Sequence, residues 1–213
     1  ESNDRGWTLL LVVMTCFSPS QNLMPYLLSY CVSNMTADIG ETARLAKSAL
    51  IHCPKSFRLG RRMDVPAPME LEALRSGIDI SIRVNFIDGR VTYIIVNSWT
   101  TIADAVKVLA RKIGCLSTEP YWLFEVEPNG YERLLTDTDR VLDIMSSWFV
   151  TEDGTQQNVT LVPSIVFKVA FFFDISERDV ASVELYYLQV RQDMVSARYP
   201  QTLEGAFYLA ALC

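Results

Sequence analysis

Histidine is almost absent from this chain: His52 is the single one in 213 residues. It sits beside Cys53-Pro54, and a Cys-His pair adjacent in sequence is not the spatial arrangement that a nucleophile and its base require. The plainer expectation is a histidine at a helix C-terminus, favoured by the helix dipole. No glycine-rich phosphate loop and no metal-ligand spacing occurs. Asp137, Asp139 and Asp143 come close to a carboxylate cluster, but the pattern around them predicts one as a helix cap and the others on its solvent side. No catalytic residue, cofactor site or metal site is therefore expected, and the segment reads as not an enzyme. Long apolar runs are lacking too. Leu9 to Phe17 is the most membrane-like stretch and falls far short of the ~20 residues of a bilayer span. Without a starting Met, with Asp4 ahead of it and no small-residue cleavage site after it, it reads as a buried helix and not as a signal peptide. Five cysteines (Cys16, Cys31, Cys53, Cys115, Cys213) form no Cys-x-x-Cys pair and are odd in number. That favours free thiols in a reducing compartment, so the Asn34 and Asn158 N-x-T triplets are discounted.

What the chain does have is apolar content, half of its residues, and a formal charge of −6. The negative balance argues against a nucleic-acid partner. Residues 1–77 hold eight Lys/Arg against seven Asp/Glu, and residues 78–165 hold seven against twelve. A slightly basic N-terminal third thus precedes an acidic middle. Within that third, Arg44, Lys47, Lys55, Arg58, Arg61 and Arg62 span a stretch with no Asp or Glu. Such a patch attracts an acidic polymer or surface through its summed field. The expectation is that Arg58, Arg61 and Arg62 contribute most, clustered on a loop.

The period of the apolar residues predicts an α+β organisation. Residues 1–77 read as helical: one helix from about Gly6 to Phe17, then a start signal at Ser18-Pro19-Ser20-Gln21. Leu23, Tyr26, Leu27 and Tyr30 form the second stripe, and Pro25 inside it means a later start or a kink. A third helix is expected from about Asp38 to His52, with Ile39, Thr42, Ala43, Ala46, Ala49 and Leu50 inward and Pro54 ending it. Lys55 to Pro68 reads as loop, Met69 to Arg75 as one short helix, and Ser76-Gly77 as a boundary.

From Ile78 the period changes. Ile80, Ile82, Val84 and Phe86 alternate with Ser81, Arg83 and Asn85, as in a half-buried strand. Asp88-Gly89 supplies a hairpin turn, and Arg90 to Val96 returns as the second strand. Ile102, Ala105, Val106, Leu109, Ala110 and Ile113 then lie on one helical stripe, stopped by Gly114. Strands over Tyr121–Glu127 and Tyr131–Leu135 flank a Pro128-Asn129-Gly130 turn. A short helix from Arg140 to Phe149, a polar loop from Thr151 to Asn158 and a closing strand from Val166 to Phe172 complete the order ββαββαβ, that of the ubiquitin roll. Phe171-Phe172-Phe173 cannot all face one side of a strand, so at least one is expected to be covered, by the next lobe in preference to a partner. Long helix follows from Arg178 to Tyr199-Pro200, and another from Leu203 to the end.

Several stretches resemble one known tandem. Arg5-Gly6-Trp7-Thr8-Leu9-Leu10, Cys16-Phe17-Ser18-Pro19-Ser20 and Pro25-Tyr26-Leu27 resemble the later half of a myosin tail homology 4 (MyTH4) domain. Pro66 and Glu70-Leu71-Glu72-Ala73-Leu74 are similar to the turn and short helix that close it. Phe86-Ile87-Asp88-Gly89 resembles the ubiquitin-like first lobe of a FERM module. Leu185-Tyr186-Tyr187-Leu188-Gln189, Arg198-Tyr199-Pro200 and Leu209-Ala210-Ala211-Leu212 resemble the opening of its helical second lobe. Two departures stand out: Pro66-Ala67-Pro68 in place of Pro-Pro-Ser/Thr, and Ala197 where many members have Gly.

The resemblance implies three parts: residues 1–77 as the end of a MyTH4 domain, 78–174 as the FERM ubiquitin-like lobe, and 175–213 as the truncated start of an all-α, acyl-CoA-binding-protein-like lobe. It implies a cargo- and cytoskeleton-binding tail segment of an unconventional myosin, cytoplasmic and cytoskeleton-associated, whose parent could carry an ATP-hydrolysing motor. A non-motor FERM adaptor with a pleckstrin domain and a kinesin tail are the alternatives. Implied partners are the cytoplasmic tails of adhesion or adaptor proteins. For the basic patch (Arg44, Lys47, Lys55, Arg58, Arg61, Arg62) the implied partner is the microtubule, with an anionic membrane surface as the electrostatic competitor.

Overall fold

The computed structural model describes residues 2–37, 40–62, 64–149, 162–199 and 202–212. The expected start of the third helix at Asp38 and Ile39, the loop from Thr151 to Asn158, Pro200 and Cys213 lie outside the described residues. The fold is mixed: a helical segment, a five-stranded ubiquitin-like roll and two further helices. By their contacts the residues divide into two compact units: residues 1–82, 95–102 and 136–162, and residues 83–94, 103–135 and 163–213.

The first unit holds α1 (Ser2–Cys16), α2 (Met24–Ala37), α3 (Glu41–Leu59) and α4 (Pro68–Ser76). Its core is built from Trp7, Leu11 and Met14 of α1, Cys31 of α2, and Leu45, Ala46, Ala49 and Cys53 of α3. Small residues on α3 let the helices approach closely, and Trp7 stacks on Tyr30 with ring centres 5.2 Å apart. The Pro25 ambiguity resolves as a later start: α2 begins at Met24, which puts Pro25 in its first turn where no amide hydrogen is needed. Ser20 Oγ accepts from the Leu23 amide just ahead of it (3.2 Å).

Two expectations about this region are corrected. Pro54 does not end the third helix; α3 runs on to Leu59 with Pro54 inside it. A proline at this place forfeits the bond to the Leu50 carbonyl, a cost of ~3 kcal/mol in an isolated helix. Here Cys53 and Ser56, one on each side of it, are both buried, and that packing outweighs the local penalty. The loop expected from Lys55 therefore starts only at Gly60. α4 opens at Ala67, which offers no side-chain cap; the Ala67 amide donates instead to Ser146 Oγ (3.1 Å).

The roll supplies β1 (Ile80–Phe86), β2 (Val91–Val96), α5 (Ile102–Ile113), β3 (Tyr121–Val126), β4 (Glu132–Leu134), α6 (Val141–Ser147) and β5 (Ser164–Val169). The strand order is β2-β1-β5-β3-β4. In the second unit β5 runs parallel to β1, with Asn85 opposite Val166 and Phe86 opposite Phe167, and antiparallel to β3 from Tyr121–Val169 to Val126–Ser164. Tyr121 and Phe167 stack within it. Ile102, Ala105, Val106, Leu109 and Ala110 of the α5 stripe are buried and Ile113 at its end is half-buried, and Gly114 takes the left-handed φ of +92° that a helix stop requires.

The closing strand ends at Val169, earlier than the alternation predicts. Gln189 of α7 (Val180–Val195) accounts for the stop: its amide accepts from the Val169 N–H (2.7 Å) and donates to the Val169 carbonyl (2.8 Å). Phe171, Phe172 and Phe173 thus lie beyond the strand, and all three are about half exposed. Phe172 meets the edge of Tyr186 on α7, and Phe171 the edge of Trp122. α7 is capped by Asp179, which accepts from the Ser182 and Leu116 amides. Ala197, at the second departure, adopts φ +55°, so glycine's usual place there follows from the backbone. α8 (Leu203–Leu212) is the last element.

Candidate functional site

The long α3 changes what the basic patch is. At about 100° per residue, Arg44, Lys47, Ile51, Lys55 and Arg58 fall within about 80° of arc. Thr42, Leu45, Ala49, Cys53 and Ser56 occupy the opposite, buried side. Lys47, Lys55 and Arg58 are exposed, as is Ile51 between them, and exposed Arg61 follows just after the helix. The continuation through Pro54 brings Lys55 and Arg58 onto the stripe begun by Arg44 and Lys47. A helix face, not a loop, gathers the charge. Arg44 is partly committed: its guanidinium holds Glu41 (2.5 and 2.9 Å) and reaches the Arg75 carbonyl.

Arg62 does not belong to that face. It is only 6 % exposed, with its guanidinium between Glu70 of α4 and Asp143 of α6. The Nε–H donates to Asp143 Oδ1 at 2.6 Å, and the Arg62 amide caps the end of α1 by donating to the Cys16 carbonyl (2.9 Å). Burial works against the guanidinium charge, but the two carboxylates hold its pKa above the usual value. A charge counted as a surface cation is an internal clamp.

The same contact corrects the aspartate reading. Asp143 faces inward to Arg62; burial raises its pKa, with Arg62 opposing. Asp139 accepts from the Thr136 amide (3.1 Å), and α6 starts at Arg140 with no side-chain cap. Arg140 lies over the Trp99 ring (4.8 Å) and donates to the carbonyls of Leu59 and Gly60.

His52 is not at a helix end. It lies inside α3, and its Nδ1 accepts from Trp99 Nε1 (3.1 Å). Burial, with Lys55 nearby, lowers its pKa to about 4. It is neutral at physiological pH, so the dipole argument for it fails. Cys16, Cys31, Cys53 and Cys115 are free; burial pushes the thiols of Cys16 and Cys31 up to about 11. Such thiols stay protonated and unreactive. Among the described residues no group of three or more His, Cys, Asp or Glu side chains could hold a metal ion, and no helix is long and apolar enough to cross a membrane.

A helical segment, a ubiquitin-like roll and the first helices of a second lobe, in that order, define the MyTH4–FERM architecture. Comparison with known proteins agrees. Residues 1–73 match the family model of the MyTH4 domain, and residues 79–168 that of the RA like domain. Residues 1–73 are thus similar to the MyTH4 domain, and the chain shares the fold of MyTH4–FERM domains. Kinesin-like protein KIN-14I of Oryza sativa subsp. japonica is 29% identical over 98% of this chain and 18% of its own length. Unconventional myosin-VIIb of Mus musculus is 29% identical over 93% of this chain and 9% of its own. The MyTH4-FERM MF1 domain of Dictyostelium discoideum myosin VII superposes with a TM-score of 0.82 at 22% identity, covering 94% of this chain and 42% of that one. The human myosin 7b C-terminal MyTH4-FERM domain, solved with the harmonin-a PDZ3 domain, gives 0.74 at 24% identity, covering 98% and 43%. The chain thus spans less than a fifth of these curated relatives and under half of these solved domains.

Proposed function

We propose that the chain is a recognition segment in the tail of an unconventional myosin: non-catalytic, cytoplasmic, cytoskeleton-associated, and serving to hold cargo and cytoskeleton. Residues 1–77, 78–174 and 175–213 act as its MyTH4, first-lobe and second-lobe parts. The observation that carries this reading is the order of the parts, matched by similarity over nearly the whole chain to a myosin-VIIb. Adaptor proteins are the partner class for the roll and second lobe, supported by the harmonin PDZ domain seated on human myosin 7b. The exposed cations of α3, Lys47, Lys55 and Arg58 with Arg61 beyond it, form the face for the acidic microtubule surface, and Arg44 adds to it while holding Glu41. An attraction of this kind weakens as salt screens it over a Debye length of ~10 Å at 0.1 M. A kinesin tail is the second reading, favoured by the equal identity to KIN-14I.

The test is co-sedimentation of the intact tail with microtubules across a salt series, beside microtubules stripped of their acidic C-terminal tails. The reading expects pelleting that falls with salt and with stripping. Pelleting indifferent to both contradicts the electrostatic face.

A further inference from the structure

The exposed side of α3 carries more than charge. At every fourth position from Lys47 the residue type alternates: Lys47, Ile51, Lys55, Leu59. All four are exposed, Ile51 and Leu59 over about half of their surface. Residues four apart are neighbours on a helix surface, so the four form one row, cation, apolar, cation, apolar, with exposed Arg58 beside its end. Exposed apolar residues scattered singly are ordinary; two of them interleaved with cations in one row are a pattern.

The spacing of that row indicates what would lie along it. Successive members are about 6 Å apart along the axis, and Lys47 and Leu59 about 18 Å, at 1.5 Å per residue. An extended chain presents every second side chain on one face about 6.6 Å apart, and four such positions span about 20 Å. The two repeats stay in step to within about 2 Å over the whole row, a difference that the flexible four-carbon stem of a lysine absorbs. A segment rich in like charge has too little apolar surface to fold by itself and meets a partner unfolded. The charge of the row selects an acidic one. No Asp or Glu lies between Arg44 and Arg62, and among the described residues Lys47, Lys55 and Arg58 belong to no ion pair. Their charges are open to incoming carboxylates.

We propose that this row binds an extended acidic segment of a partner protein in which carboxylate and apolar side chains alternate at every second residue, in the pattern acidic-x-apolar-x-acidic-x-apolar. The carboxylates meet Lys47 and Lys55, and the apolar side chains cover Ile51 and Leu59. The inference rests on the reading of α3 as the face for an acidic surface, and adds to it a sequence preference that summed charge alone does not provide.

Two capped peptides of identical composition in a Gly-Ser background test it. One alternates Glu and Leu at every second residue; the other places them at every fourth, the spacing of a helix. The full ¹⁵N-labelled chain is titrated with each, following the amides of Ile51 and Lys55, beside salt-series co-sedimentation of the intact tail with microtubules. The first peptide is expected to bind about tenfold more tightly than the second. Ile51→Gln together with Leu59→Gln, both at exposed positions, should bring the first peptide down to the affinity of the second and leave the second unchanged, with amide dispersion checking the fold. Equal affinities, tighter binding of the second peptide, no saturable shift with either, or a preference undiminished in the folded double variant would each overturn the proposal. If the preference fails while pelleting still falls with salt, the electrostatic face stands and only the pattern is lost. Pelleting indifferent to salt removes the face itself, and the pattern with it.

Discussion

Arg62 and His52 both invert what their residue types suggest. An arginine in a charge-rich stretch is ordinarily solvated, yet Arg62 is buried between Glu70 and Asp143. Its partner Asp143 lies 81 positions away, and no local period encodes such a contact. Removing one member of a buried pair leaves the other charge uncompensated and costs about 3–5 kcal/mol, while replacing the whole set with apolar residues is often neutral. Arg62→Ala should therefore lower the unfolding free energy by about that amount, and a triple Arg62→Met, Glu70→Leu, Asp143→Leu change should recover most of it. Chemical denaturation of the variants checks both. His52 is read equally directly, being the only histidine. Its folded pKa of about 4 lies below the unfolded ~6.5, so the unfolded chain binds its proton first. The stability this group contributes is complete above about pH 6.5 and declines as pH falls towards 4. An NMR titration should place its midpoint near 4, and Trp99→Phe, which removes the donor to Nδ1, should move it upward.

The strands were easier to read than the ends of the helices. Ile80, Ile82 and Val84 are buried at every second position while Ser81 and Arg83 are exposed, because a period of two leaves little ambiguity. A proline signal is local, whereas the packing that carries α3 past Pro54 comes from other elements. Reading Pro54 as a stop placed Lys55 and Arg58 on a loop and hid their alignment with Lys47. The end of β5 was hidden for a similar reason: Phe171 and Phe172 prolong the apolar run, but Gln189 occupies both polar groups of Val169. Gln189→Leu keeps the volume and removes that pairing. It should cost about 1–3 kcal/mol and speed hydrogen exchange of the Val169 amide, which a matched exchange experiment would detect.

At the scale of the whole molecule, the order of parts was legible because each has a distinct period: 3.6 before Ser76-Gly77, two within the roll, and 3.6 again after Arg178. The division into contact units was not, since residues 136–162 join the first unit across a long stretch of sequence. The candidate face was legible as charge and not as geometry. Six cations could be counted, but which of them a partner can reach depends on burial. Arg62 leaves the set, and the exposed residues of one helix face remain. Microtubule co-sedimentation of the intact tail carrying Lys47→Glu, Lys55→Glu and Arg58→Glu together tests that face most directly, with Arg111→Glu as an exposed control elsewhere. The triple change should reduce pelleting at least tenfold at low salt while the control pellets like the parent; undiminished pelleting of a folded triple variant would contradict the account.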